Sequence, residues 1–347
     1  MKIKIFLISA IFFFACNNKT KIDGQIENDK VRNFIENAKV LDDLFDIKEI
    51  ALSVPNNVII GNLTNLIRIS DKGNVFLKDE NGVFYKFNHE GKFVGRLHNI
   101  GNGPGEYSES VRFCVGKKGH LFIVDYFKGK VFEYDENLKY LDYYKIPFYY
   151  PIGYVRSVEN KFFIVSPIRI KSKVGQIYNE KWELIEEIIP NDKIAQKYIL
   201  ARSNFCSLFE MNKYVVFSYS TKLEFRLYTK DGEFIKSIYP NLSFRIPRRK
   251  YGPFERSKGE FDFILNVIPI GNEYIAFKLS GKNNRNLWNI FNLKGEIIRK
   301  GIPEINYKGR FIPLKHNMLG KVLQTENEKG KIISKIIIYT LKNHEEK

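Results

Sequence analysis

The stretch with the densest chemistry lies between residues 244 and 258: Phe244-Arg245-Ile246-Pro247-Arg248-Arg249-Lys250-Tyr251-Gly252-Pro253-Phe254-Glu255-Arg256-Ser257-Lys258. Six basic residues in fifteen, interleaved with Tyr and Phe, can grip phosphate, sulfate or carboxylate groups while a ring stacks on a sugar or base. Arg245, Arg248, Arg249, Lys250, Tyr251, Arg256 and Lys258 are therefore the candidate ligand-binding set. A plain solvent-exposed loop would have the same composition, so the segment alone does not choose between the two. Catalytic residues are harder to find. The five histidines (His89, His98, His120, His316, His344) are scattered, and there is no G-x-S-x-G elbow, H-E-x-x-H or phosphate loop. No Cys or His cluster has metal-ligand spacing, so neither a metal nor a cofactor is expected. Asp79 and Asp125 each close an apolar run; they would either line a channel, with room for a cation, or hydrogen-bond the local backbone. Sites assembled across repeats leave no local motif, so enzyme activity stays open.

The N-terminus carries an address. Lys2 and Lys4 precede an unbroken apolar and small run from Ile5 to Phe14, then Ala15-Cys16. The run is too short for an ordinary transmembrane helix and has the length of a signal-peptide core. A small residue directly before a cysteine resembles the lipobox of bacterial lipoproteins, although Phe13 and Phe14 depart from it. That resemblance implies a signal peptide over 1–15, cleavage before Cys16, and lipidation of Cys16. Residues 16–44 are then the acylated cysteine and a polar tether, and 45–347 a single folded domain. The residues after Cys16 (Asn17-Asn18-Lys19) lack the acidic run that resembles surface-export signals, which favours a periplasm-facing protein. A formal charge of +17 favours anionic partners through the long-range field. An exported chain does not ordinarily meet nucleic acid, so an anionic glycan or an envelope protein is the expected partner. Cys114 and Cys206 sit in apolar strand-like contexts, as buried thiols or, in an exported protein, as a bridge.

The elements that would position these residues come from internal repetition. Gly73-Asn74-Val75-Phe76-Leu77-Lys78-Asp79 matches Gly119-His120-Leu121-Phe122-Ile123-Val124-Asp125 at an offset of 46. An aromatic followed by a polar turn recurs at Phe87, Tyr134, Tyr178, Tyr228, Phe291 and Tyr339, with intervals of 47, 44, 50, 63 and 48. Within each interval, short alternating runs are separated by turn residues, the pattern of antiparallel strands. Blocks fall near 66–97, 111–146, 152–189, 205–239, 263–301 and 310–340. Four strands in about 45 residues predict an all-β, six-bladed β-propeller with four-stranded antiparallel blades. The surplus strand at 45–54 is expected to pair with 331–340 and close the ring. The turns Glu90-Gly91, Asp231-Gly232 and Lys294-Gly295 supply glycine for a tight hairpin, whereas Glu136-Asn137 and Glu180-Lys181 call for a longer or non-glycine one. On such a ring only His98 and His316 are expected near a face. The 63-residue interval houses the basic insertion.

One further motif carries a resemblance. Gly101-Asn102-Gly103-Pro104-Gly105-Glu106-Tyr107 resembles the GxGPGE(F/Y) element of six-bladed β-propeller lipoproteins common in Bacteroidota, similar in turn to NHL-like and TolB-like propellers. The resemblance spans roughly 45–340 and is sharpest in the first two blades. It implies a cell-envelope lipoprotein, and Gly101, Gly103, Pro104, Gly105, Glu106 and Tyr107 as a structural crossing from one blade to the next. The expected function is a lipid-anchored binding or scaffolding module; the alternative is a propeller hydrolase or lyase acting on glycans, lactones or peptides.

Overall fold

In the computed structural model the described residues are 29–147, 152–166, 173–190, 207–219, 222–242, 264–279, 287–304, 310–314, 318–326, 328 and 332–342. After a helix over 29–37 (α1) and a 3-10 turn at Leu41–Leu44 comes β1 (Phe45–Ala51). Blade one is β2 (Leu63–Ile69), β3 (Val75–Asp79), β4 (Phe84–Phe87) and β5 (Phe93–Leu97). Blade two is β6 (Arg112–Val115), β7 (Leu121–Asp125), β8 (Lys130–Tyr134) and β9 (Tyr140–Lys145). Blade three is β10 (Tyr154–Val158), β11 (Lys161–Val165), β12 (Lys173–Tyr178) and β13 (Leu184–Pro190). Blade four is β14 (Ser207–Met211), β15 (Tyr214–Ser218), β16 (Phe225–Thr229) and β17 (Phe234–Ile238). Blade five is β18 (Ile264–Ile270), β19 (Tyr274–Leu279), β20 (Leu287–Asn292) and β21 (Ile297–Ile302). Blade six is β22 (Ile312–Pro313), β23 (Met318–Glu326) and β24 (Ile332–Leu341), completed by β1 in the order β22-β23-β24-β1. The first strands of successive blades touch around the ring, including the first and last blades. The expected closure is therefore present: Phe45 stands opposite Leu341 and Ala51 opposite Lys335.

Why the middle strands read as continuous apolar runs follows from this geometry. Each blade is sandwiched between two others, so both faces of its sheet are buried. In β3 and β7 every residue is buried. Alternate side chains go to opposite neighbours: Val75 and Leu77 join the seam with blade six, while Phe76 joins the seam with blade two. Outer strands have no second neighbour and carry exposed residues, as in β9 and β17. The six recurring aromatics are all buried, and each packs into the seam with the preceding blade. In blades one to five the register of the third and fourth strands shifts at that aromatic, with a second shift earlier in blade five, so the ring sits at a β-bulge.

The polar turn after the aromatic has one design. Asn88 Oδ1 accepts from the Glu90 and Lys92 amides at 3.0 and 2.9 Å, and Asn179 and Asn292 do the same in their turns. Three residues beyond the Asn, or beyond Thr229 in blade four, the chain takes positive φ: 84° at Gly91, 100° at Gly232 and 88° at Gly295. In the two turns without glycine the hairpin is no longer than elsewhere. Leu138 and Trp182 take that position at φ 65° and 59°. Trp182 compensates by packing, its ring stacked on Phe162 at 4.1 Å and 12°.

The glycine element is a structural crossing from β5 to β6. Tyr107 is fully buried, and its Oη lies 3.2 and 3.1 Å from the Gly82 and Leu97 carbonyl oxygens. Glu106 folds back to accept from the Gly103 amide at 2.7 Å. Lys128 Nζ caps the Gly101 and Glu106 carbonyls, and Tyr134 Oη donates to the Gly105 carbonyl. Gly105, at φ 72°, passes so close to Tyr140 that a Cβ would meet the ring at 2.8 Å.

Residues 29–44, expected in the polar tether, instead pack onto the ring: Ile35, Ala38, Leu41 and Leu44 are buried in the cluster formed by blades five and six. Val31, Phe34, Ile35 and Ala38 have the spacing of one helical face, which a polar composition masks. Residues 16–28 lie outside the described residues. Among the described residues no helix is long and apolar enough to cross a membrane.

Two stability outcomes follow. Leu44→Ala should cost about 2–5 kcal/mol in urea unfolding, because it empties a closed core, whereas a tether position would give no change. Gly105→Ala should cost about 1–3 kcal/mol through positive φ and the Tyr140 contact. Gly95→Ala, whose Cβ would meet only Leu138 at an ordinary 3.5 Å, should stay within about 0.5 kcal/mol in the same assay.

Candidate functional site

The first strands of the blades surround the propeller axis, and they carry arginines. Arg68 is on β2, Arg112 on β6 and Arg156 on β10; Arg310 stands just before β22. Arg68 Nη1 donates to its neighbour's Ile67 carbonyl at 2.8 Å, and Nη2 donates to the Val155 carbonyl of blade three at 3.2 Å. Its guanidinium lies 5.5 Å from the Phe113 ring centroid. Arg156 Nη2 donates to the Pro313 carbonyl of blade six at 2.6 Å. Arg310 Nη2 donates to Tyr154 Oη at 2.7 Å, and Arg112 Nε lies 3.4 Å from the Gly153 carbonyl oxygen. These arginines therefore brace the axis from blade to blade. Between them lies a cavity of about 30 Å³, lined by Arg68, Arg156, Cys114, Ser157, Glu210 and Leu314 among others. Burial pushes the Arg68 guanidinium well below the usual arginine range, and the charge of Arg156 adds to the shift. Burial also lowers Arg156, to about 10.

A larger cleft, about 240 Å³, opens between blades two and three. It is built by the first hairpin of blade two (Gly116, Lys117, Lys118, His120) and the hairpin of blade three that carries Glu159 and Asn160. Phe122 and Phe162 form its apolar floor, their centroids 4.8 Å apart, with Trp182 stacked behind Phe162. On its wall, His120 Nδ1 is 2.7 Å from Glu133 Oε1, and Tyr144 Oη donates to Glu133 Oε2 at 2.7 Å. An ionised Glu133 keeps the proton of a neutral imidazole on Nδ1, leaving Nε2 as an acceptor. Burial and the adjacent Glu133 carboxylate hold the Tyr144 hydroxyl far above its ordinary range, so it remains a donor. Ser157 lines both the cleft and the axial cavity. Lys230 joins their walls, 2.7 Å from Glu210 and 3.2 Å from Glu159.

The residues singled out in the sequence fare differently. Asp79 and Asp125 are local braces. Asp79 accepts from the Val83 amide and from Tyr85 Oη, both at 2.9 Å. Asp125 accepts from the Ser108, Phe127 and Lys128 amides. His98 is exposed beyond β5, and Cys114 is a buried thiol on the axis. Arg245, Arg248, Arg249, Lys250, Tyr251, Arg256 and Lys258 lie outside the described residues, as do Cys16, Cys206 and His316. Among the described residues no group of three or more His, Cys, Asp or Glu could hold a metal ion. The sequence reading missed the axial arginines, although Arg68, Arg112 and Arg156 are spaced 44 residues apart. It also passed over His120, whose only local signal is its place beside Gly119 in a repeated turn.

Comparison with known proteins bears on the fold. A Bacteroides fragilis NCTC 9343 protein aligns with TM-score 0.65 at 14% identity, covering 88% of this chain and 97% of its own. U3-55K aligns with TM-score 0.50 at 10% identity, covering 82% and 81%. A streptogramin B lyase aligns with TM-score 0.48 at 11% identity, covering 86% and 88%. No curated protein matches the chain in sequence. Residues 17–299 match the sequence profile of a family described as 6-bladed beta-propeller, the architecture the sheets display. The chain belongs to that six-bladed beta-propeller family.

Proposed function

We propose that the protein is an exported, lipid-anchored binding module of the cell envelope that takes an acidic glycan in the cleft between blades two and three. The cleft itself carries this reading. Its volume is below the roughly 300–1,000 Å³ of pockets for drug-sized ligands, which suits one sugar ring of a longer chain. An aromatic floor with His120, Ser157 and Asn160 above it offers apolar contact to a ring face and hydrogen bonds to hydroxyls. The charge balance favours an anion. Glu133 is engaged by His120 and Tyr144, and Glu159 by Lys230, which leaves Lys117 and Lys118 against the single carboxylate of Glu180, none of the three in an ion pair among the described residues. The export address draws support from the segment before Cys16 and from the Bacteroides fragilis relative, which is described as exported. The basic insertion at 244–258 supplies a second candidate surface, joined to strands whose ends lie across the ring plane from the cleft.

Titration with polygalacturonate in low and high salt tests the ligand. Wild-type protein should bind, with affinity falling as salt rises. Lys117→Glu with Lys118→Glu should weaken binding about tenfold or more, equivalent to about 1.4 kcal/mol. If instead only Arg248→Glu, Arg249→Glu and Lys250→Glu abolish binding, the insertion is the site and the cleft is not. Binding to neither, or binding indifferent to salt, overturns the proposal. A lyase or hydrolase is the second reading, resting on a Glu133-oriented imidazole that can accept a proton at Nε2. Product formed during the titration and lost in His120→Gln would select it. For the anchor, Cys16→Ser should move the protein from the membrane fraction to the soluble one; continued membrane association would refute lipidation there.

A further inference from the structure

The axial cavity poses a separate electrostatic problem. Elsewhere carboxylates neutralise several cations in and around the core, while the buried Lys78 and Lys86 are capped by backbone carbonyls. Lys321, 1% exposed at its side chain, and Lys278 share Glu304. Arg226 and Lys222 share Glu224, itself 5% exposed. On the axis two guanidiniums line one cavity. Arg68 is 7% exposed, and neither it nor Arg156 forms an ion pair among the described residues. The one carboxylate on the cavity wall, Glu210, is bound by Lys230 at 2.7 Å. The Nε atoms of both Arg68 and Arg156 are buried and lack a hydrogen-bond partner. Buried donors of a charged group are ordinarily satisfied, and buried charges ordinarily paired.

We propose that this cavity is a binding site for a small inorganic anion of chloride size, held between the guanidinium groups of Arg68 and Arg156. The cavity, about 30 Å³, exceeds the roughly 10–15 Å³ that one water needs, so a single small ion such as a halide fits. A water molecule could accept the two Nε–H groups but would leave two like charges at one buried cavity. A halide accepts both donors and offsets both charges. The bound anion would tie blades one, three and six together at the point where Arg68 and Arg156 already cross the axis. Although Ser157 lines both spaces, this proposal does not rest on the glycan reading of the cleft, and either can fail without the other.

Thermal unfolding of the full chain in sodium chloride, sodium bromide and sodium gluconate at matched ionic strength tests it. Above the dissociation constant, each tenfold rise in chloride should raise the unfolding midpoint by about 3 °C, while gluconate should not. Bromide should act as chloride does. Arg156→Met should flatten the chloride response, and Arg68→Met likewise. Because either variant may fold poorly, chloride-35 NMR line broadening by the wild-type protein, reversed by bromide, gives a readout that needs no substitution. Equal midpoints in chloride and gluconate with no chloride-35 broadening would overturn the proposal and leave water as the occupant. Stabilisation by phosphate but not by halide would overturn the halide assignment. A chloride response unchanged in both folded variants would place the ion elsewhere.

Discussion

The whole ring depends on one long-range pairing, that of β1 with β24. Five blades are complete within consecutive sequence, but the sixth has only three C-terminal strands until Phe45–Ala51 joins it. The pairing does more than satisfy a strand edge. Phe45 enters the cluster between blades five and six, and Ile50 enters the cluster between blades six and one. A single strand thus seals both seams of the last blade. The entropic cost of joining segments almost 300 residues apart grows only logarithmically with length, so apolar burial at two seams can offset it.

How much of this was readable in the sequence depended on whether a feature is local. The aromatic, the Asn or Thr after it and the glycine three residues later are one bulge and one hairpin, fixed by neighbours in the chain. They gave the blade count and boundaries within a few residues. Leu138 and Trp182 show the limit of such reading. Both adopt the glycine's conformation because packing outweighs a modest backbone cost, and packing is not visible in a turn's composition. Residues 29–44 misled for the opposite reason: four apolar side chains at helical spacing were diluted by charge, and their burial appears only when blades five and six are in place.

The axial arginines and the cleft were illegible for a geometric reason. A side chain on a first strand faces the axis or a seam according to its register, and Arg68 and Arg156 find partners only because Val155 and Pro313, each from another blade, arrive beside them. His120 has no partner nearby in sequence except through the pairing of β7 with β8, which brings Glu133 alongside. Function on a propeller is written in the angular order of the blades, so a linear reading finds a conspicuous run such as 244–258 before it finds a site shared between repeats.

The docked helix has a consequence for orientation. It rests on the seam of blades five and six, and the cleft opens at the seam of blades two and three, three seams away whichever way the ring is traversed. For a chain anchored at Cys16 as proposed, only twelve residues separate the lipid from the first turn of α1. At full extension that leash reaches about 40 Å. With that anchor, a pull from the membrane would reach the ring three seams away from the cleft.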